Sequence, residues 1–165
     1  MEPLLNAIDR FTTFTGRAVG QLYLILATIT VYEVVMRYLF NAPTMWAFEL
    51  VMILCGAAWM LSVGYITQQK GHIGITILYV MAPKRTQWFM DLFSYVMSFL
   101  AISILGYASW PLMRDALVMG ELSGTAFNSP EPIVAKTMLV LGCLIYSVQL
   151  LANLIRHLRE FSEWR

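Results

Sequence analysis

The chain has 165 residues, of which 59% are hydrophobic and only 13% are charged, and its mean hydropathy is +0.66. Soluble domains carry about 45–50% apolar and about 25% charged residues, and a domain of this size has too little interior to bury the excess. The composition therefore excludes an ordinary soluble domain, and a net charge of +1 without a basic run excludes nucleic acid as a partner.

Four apolar stretches are each long enough to cross a bilayer as an α-helix. A hydrocarbon core about 30 Å thick requires roughly 20 apolar residues of helix, and charge-free stretches cover residues 50–69, 92–113 and 137–155. A fourth stretch, near the N-terminus, is apolar apart from two charges. The sequence therefore predicts an all-α integral membrane protein, one membrane domain over 1–165, with spans at about 18–39, 46–67, 88–112 and 134–155.

The segments next to the spans predict amphipathic interfacial helices on the cytoplasmic side. Apolar residues recur at helical spacing in 1–17, which indicates an amphipathic arm lying on the membrane surface. Residues 71–82 fit a second interfacial helix that Pro83 stops, although their alternating pattern also fits a strand. The tail 156–165 continues the last helix with Arg156 facing water.

The longest connection between spans is predicted at residues 114–132. Pro111, near the end of the third span, is expected to bend or end that helix rather than to open a site. Ser129 is a typical helix cap, and Pro130 and Glu131 suit the first turn of the last span. We therefore expect a turn-rich loop followed by a well-defined helix start.

The positions of the lysines and arginines orient the four spans. Most of the 11 lie on one side, in the N-terminal arm, the second connection and the tail. The opposite side has Arg37, Arg114 and Lys136. Because cytoplasmic loops carry the excess of positive charge, the pattern predicts that both termini are cytoplasmic.

Three charged residues lie in or at the ends of the first two spans. Glu33 and Arg37 are four residues apart and share a helix face, while Glu49 begins the second span. The short turn between the spans predicts an Arg37–Glu49 pair or a cluster of all three. We interpret it as a clamp between the two helices; the alternative is that Glu33 carries protons in a small four-helix exporter.

Other chemistry is not indicated. Cys55 and Cys143 lie alone in apolar stretches and are expected to be small buried hydrophobes. The two histidines, His72 and His157, lie in a connection and at a helix end, which disfavours a haem-binding membrane anchor, our third hypothesis. We predict no catalytic, cofactor-binding or metal-binding residue, and hence no enzyme.

The first turn carries a resemblance to a known family. The run RYLFNAP at 37–43, followed by Trp46 and Glu49, resembles the signature of the small membrane subunit of TRAP (tripartite ATP-independent periplasmic) transporters. Gly71 and His72 match that family's motif in the second connection. Many members continue this motif with charged residues where this chain has Gly74 and Thr76; the role of those charges does not carry over.

The resemblance implies a function that the composition alone could not name. It implies a static scaffold for a large elevator-type membrane subunit and part of the docking surface for a periplasmic substrate-binding protein. The substrate would be an organic acid, and the coupling sodium would bind the large subunit rather than this chain. The implied location is the bacterial inner membrane, in contact with lipid. The structural or subunit-interface candidates are Glu33, Arg37, Asn41, Trp46, Glu49, Trp59, Gly71 and His72.

Overall fold

The computed structural model describes residues 2–69 and 76–163, and these fold into five α-helices. Four of the helices are long and apolar enough to cross a membrane, which confirms the all-α fold with four spans. The fifth is the short α3. The helices are α1 (Glu2–Tyr38), α2 (Ala47–Gln68), α3 (Thr76–Met81), α4 (Lys84–Met119) and α5 (Glu131–Glu163).

The first helix includes both the predicted N-terminal arm and the first span. Residues 2–17 continue directly into the first span as one helix, α1, with a length of about 55 Å at 1.5 Å per residue. Leu5 and Thr12 are buried, and hydrogen bonds join this part of α1 to α5. The face of this segment that packs against α5 is therefore the one with Leu5 and Thr12, whereas Leu4 and Phe11 remain exposed.

The third span also extends further than its sequence suggests. Pro111 lies inside α4, which continues to Met119 before Gly120 ends it with a left-handed φ of 62°. A proline removes one backbone hydrogen bond, and here that loss does not terminate the helix. The connection to α5 is therefore shorter than the predicted 114–132.

The second connection contains the short helix α3 among its described residues. Residues 76–81 are α3, so the strand alternative is wrong for this part, and residues 71–75 lie outside the described residues. Tyr79 donates a hydrogen bond of 2.9 Å to Asp91 of α4, and this bond raises the pKa of Tyr79 above its ordinary value. The bond ties the interfacial helix to the start of α4.

The long helices pack in the order α1, α2, α5, α4, and α5 contacts all of the other three. Within the described residues, α4 contacts neither α1 nor α2. Glycines allow the close approaches: Gly64 and Gly142 lie at the contact between α2 and α5, and Gly16 lies against Tyr65. Cys143 is buried as predicted, whereas Cys55 is only half-buried.

Gly142→Ala is expected to destabilise the protein by about 1–3 kcal/mol. The added methyl group would lie 2.9 Å from Met60 Cβ and 3.0 Å from the Met60 backbone oxygen. Because backbone cannot rotate away as a side chain can, α2 and α5 would have to separate. Gly20→Ala is the matched control, since its methyl group would meet no atom within 4 Å. Thermal unfolding of both variants in one detergent tests this, and equal stabilities would contradict the close approach.

Candidate functional site at the loop end

Two connections lie together at one end of the bundle, which we call the loop end. They are residues 39–46, between α1 and α2, and residues 120–130, between α4 and α5. A hydrogen bond from Ser129 to Glu49, at the start of α2, brings them to the same end. Five of the predicted site residues lie at this end, namely Glu33, Arg37, Asn41, Trp46 and Glu49.

Glu33 and Arg37 form an ion pair that also holds the first connection. Arg37 Nη2 and Nε lie 2.6 and 3.1 Å from Glu33 Oε1. The other oxygen, Glu33 Oε2, accepts hydrogen bonds from the Thr44 hydroxyl and from the Thr44 backbone N–H at 3.2 Å. One carboxylate thus fixes both an arginine on its own helix and the loop that leads into α2.

Two further motif residues shape the same connection. Asn41 has a left-handed φ of 51°, a conformation that asparagine tolerates better than most residues. The ring of Trp46 stacks on Tyr32, with centroids 5.9 Å apart. The Arg-Tyr-Leu-Phe-Asn motif therefore forms a turn in which Asn41 takes the left-handed conformation. The Glu33–Arg37 ion pair and the Tyr32–Trp46 stack hold this turn in place.

Glu49 performs a different task from the one predicted. Its side chain is buried, with 2% of the residue exposed, and Oε2 accepts hydrogen bonds from the second connection. The donors are the Ser129 backbone N–H at 3.0 Å, the Ser129 hydroxyl and the Ser123 hydroxyl at 3.1 Å. Glu49 therefore clamps residues 120–130 onto α2.

The predicted Arg37–Glu49 pair does not form among the described residues. The Arg37 guanidinium is already paired with Glu33, and the Arg37 side chain is half exposed. Glu49 instead points into the protein toward Ser129. A guanidinium buried beside Glu49 would have to lose its hydration, which costs free energy. Neutral hydroxyl and amide donors can bind Glu49 without that cost. Glu49 Oε1 itself has no hydrogen-bond partner in the described part of the chain.

The remaining candidates lie elsewhere. Trp59 is in the middle of α2 and is 62% exposed, as a residue that contacts lipid or a partner would be. Gly71 and His72 lie outside the described residues. In the described ranges, 2–69 and 76–163, His, Cys, Asp and Glu residues form no group that could hold a metal ion.

The opposite end of the bundle contains a polar network that the sequence did not reveal. Arg156 binds Asp9 through two hydrogen bonds, of 2.6 and 3.2 Å, so Arg156 does not simply face water. Gln149 is completely buried and bonds to Asp9, Thr12 and Asn153. The network ties α1 to α5. Helical periodicity does not reveal it, because its members lie on separate helices.

A second contact at this end joins α4 to α5. The His157 ring stacks on Trp88 with centroids 5.0 Å apart, and His157 Nε2 lies 3.1 Å from the Trp88 backbone oxygen. The Trp88 indole N–H donates to the His157 backbone oxygen at 3.3 Å. This histidine therefore packs between helices.

Comparison with known proteins identifies the kind of chain to which this geometry belongs. The family model described as "Tripartite ATP-independent periplasmic transporters, DctQ component" matches residues 26–160. A curated relative, the "Sialic acid TRAP transporter permease protein SiaT" of Haemophilus influenzae (strain 86-028NP), is 24% identical over 124 residues, which are 73% of this chain. The chain spans only 20% of that relative's length.

Proposed function

This chain belongs to the DctQ component family of tripartite ATP-independent periplasmic transporters, and from that premise we propose that it is the static scaffold of the transporter. It is a multi-pass inner membrane protein and a TRAP permease subunit. We assign the moving parts, the coupling sodium site and the substrate site to a large membrane subunit. The substrate we propose is an organic acid, in line with the sialic acid in the name of the relative.

The observation that carries this proposal is that both connections at the loop end are fixed to the helices. Glu33 holds Thr44 in the first connection, and Glu49 holds Ser123 and Ser129 in the second. Such bonds suit a body that keeps its shape while a partner moves. With both termini in the cytoplasm, the loop end would face the periplasm and offer this rigid surface to the binding protein.

The geometry gives less support to a proton-coupled exporter. Both oxygens of Glu33 accept hydrogen bonds, from Arg37 and Thr44. The pair also lies in the last two turns of α1, next to the loop. A proton carrier needs a carboxylate that binds and releases a proton in each cycle. Glu33 instead accepts hydrogen bonds that hold the structure together.

A distance measurement within the assembled transporter tests the scaffold. Spin labels at Phe40 and Phe127, which are exposed in the two connections, are expected to keep one distance with and without sodium and an organic acid. A label pair between Phe127 and the moving part of the large subunit should change its distance in the same experiment. A change of about one helical turn, ~5 Å, within the Phe40–Phe127 pair would contradict a static role.

A further inference from the structure

The outward face of α2 has a regular pattern. Its residues recur at alternating spacings of four and three, and α1 and α5 contact the other sides of the helix. An average spacing of 3.5 residues is typical of a helix that packs lengthwise along another helix. We call this face the α2 stripe; it comprises Phe48, Met52, Cys55, Trp59, Ser62 and Ile66.

The spacing alone does not distinguish a protein partner from lipid. An outward face of α5 has the same alternation, and its side chains are also exposed. That face is entirely aliphatic, so hydrocarbon chains can cover it at no polar cost. Its residues are Leu141, Leu144, Val148, Leu151, Ile155 and Leu158.

Trp59 distinguishes the α2 stripe from the α5 face. It lies about 18 Å from the start of a helix that is about 33 Å long, so its indole ring sits near the middle of the span. The side chain is 62% exposed, and its N–H has no acceptor among residues 2–69 and 76–163. Tryptophan is normally enriched at membrane–water interfaces, and hydrocarbon at mid-depth offers no acceptor.

Ser62, the one residue of the stripe with a hydroxyl group, does not need such a partner. Its hydroxyl donates to the backbone oxygen of Trp59 at 2.9 Å, within α2. The unmet donor of the stripe is therefore the Trp59 indole. A protein that covers the stripe can supply a backbone or side-chain oxygen at this depth, which a lipid tail cannot.

The loop end of the stripe adds a charge. Phe48 lines a groove of about 220 Å³ between α1 and α2, and Arg37 and Glu33 line its other side. The Arg37 side chain is half exposed although it is paired with Glu33. An acidic side chain or the carbonyl end of a helix would complement the positive charge at this place.

We propose that the α2 stripe binds one membrane-spanning helix of the large TRAP subunit. That helix supplies an oxygen acceptor for Trp59 at mid-depth and an acidic or carbonyl group near Arg37. The α5 face is covered by lipid. This inference rests on the proposed function, because it takes the large subunit as the partner.

Photo-crosslinking in the assembled complex tests the assignment of the faces. The photoreactive residue benzoylphenylalanine is placed at Met52 in the stripe and, as the control, at Leu144 on the α5 face. We expect crosslinks to the large subunit from position 52 and not from position 144. Failure of the wild-type chain to co-purify with the large subunit would overturn the proposed function. A stable complex that crosslinks from 144 and not from 52 would overturn only the present inference.

A matched pair of tryptophan variants tests the hydrogen bond. Trp59→Phe keeps an aromatic ring and removes the N–H, and we expect a three- to tenfold weaker association with the large subunit, about the effect of one hydrogen bond in a membrane. Trp110→Phe is the control, because Trp110 is exposed on α4 near the loop end. Water can accept a hydrogen bond from its N–H there. Equal affinities of the two variants would contradict a protein acceptor at Trp59.

Discussion

Replacing Glu49 with alanine is expected to lower the free energy of unfolding by about 2–4 kcal/mol and to release residues 120–130. The substitution removes the acceptor of three hydrogen bonds from Ser123 and Ser129. Ser129 is only 6% exposed, so its backbone N–H would be left buried without a partner, which costs more than the bond contributed. Thermal unfolding in detergent and hydrogen exchange of the Ser129 amide would measure the two effects.

Two further variants separate the clamp from a general effect of charge at this end. Glu121→Ala removes a carboxylate of the same loop whose partner, Lys136, is partly exposed, and we expect a loss below about 1 kcal/mol. Glu49→Gln keeps an oxygen acceptor, and we expect an intermediate loss. If Glu49→Ala were no worse than Glu121→Ala, the clamp would not contribute to stability.

The release of the loop also matters for function. If residues 120–130 form part of the surface for the binding protein, Glu49→Ala should reduce transport by the assembled complex more than it reduces assembly. Trp59 lies on the α2 stripe, away from the loop end, so its substitution should act first on assembly. Comparing the loss of transport with the loss of assembly therefore shows whether a residue belongs to the surface for the binding protein or to the surface for the large subunit.

The spans were predictable because a membrane imposes a simple requirement on sequence. Every backbone polar group in hydrocarbon must be bonded within the chain, which demands long apolar helices and makes the charge-free stretches informative. The Glu33–Arg37 pair was equally accessible, since its residues are one helical turn apart. Both features depend on local sequence alone.

The partners of Glu49 were not accessible in this way. Ser123 and Ser129 are 74 and 80 residues away in the chain, and they meet Glu49 only because α5 packs on α2. Ser129 was expected to cap α5, whereas its hydroxyl donates to Glu49. The packing order of four similar apolar helices leaves no periodic mark, so a pairing that depends on it could not be foreseen.

The same limit applies to the ends of the spans. The sequence assigns residues 1–17 to an amphipathic arm and begins the first span at about residue 18. In the structure α1 runs through this point as one helix. Its polar residues are satisfied by α5, because Asp9 binds Arg156 and Thr12 binds Gln149. A polar residue near a span is therefore not by itself a boundary, and its partner decides whether the helix continues within the protein.

A double-mutant cycle on Asp9 and Arg156 is expected to give a coupling energy of about 1–3 kcal/mol. The two side chains are only 25% and 32% exposed, and their closest atoms, Arg156 Nη2 and Asp9 Oδ2, are 2.6 Å apart. Partial burial reduces solvent screening, and two parallel hydrogen bonds fix the geometry. Each single alanine variant should therefore destabilise the contact between α1 and α5, and the double variant should lose less than their sum.

The pair of Arg114 and Asp115 provides the matched control for this cycle. It has the same residue types, but the side chains are 72% and 52% exposed and their atoms are 3.5 Å apart. Exposed pairs contribute little, so we expect a coupling energy close to zero there. Equal couplings for the two pairs, measured by thermal unfolding in one detergent and at one salt concentration, would show that Asp9 and Arg156 act as ordinary surface charges. A large coupling confined to Asp9 and Arg156 would instead show that the N-terminal turns of α1 belong to the packed scaffold.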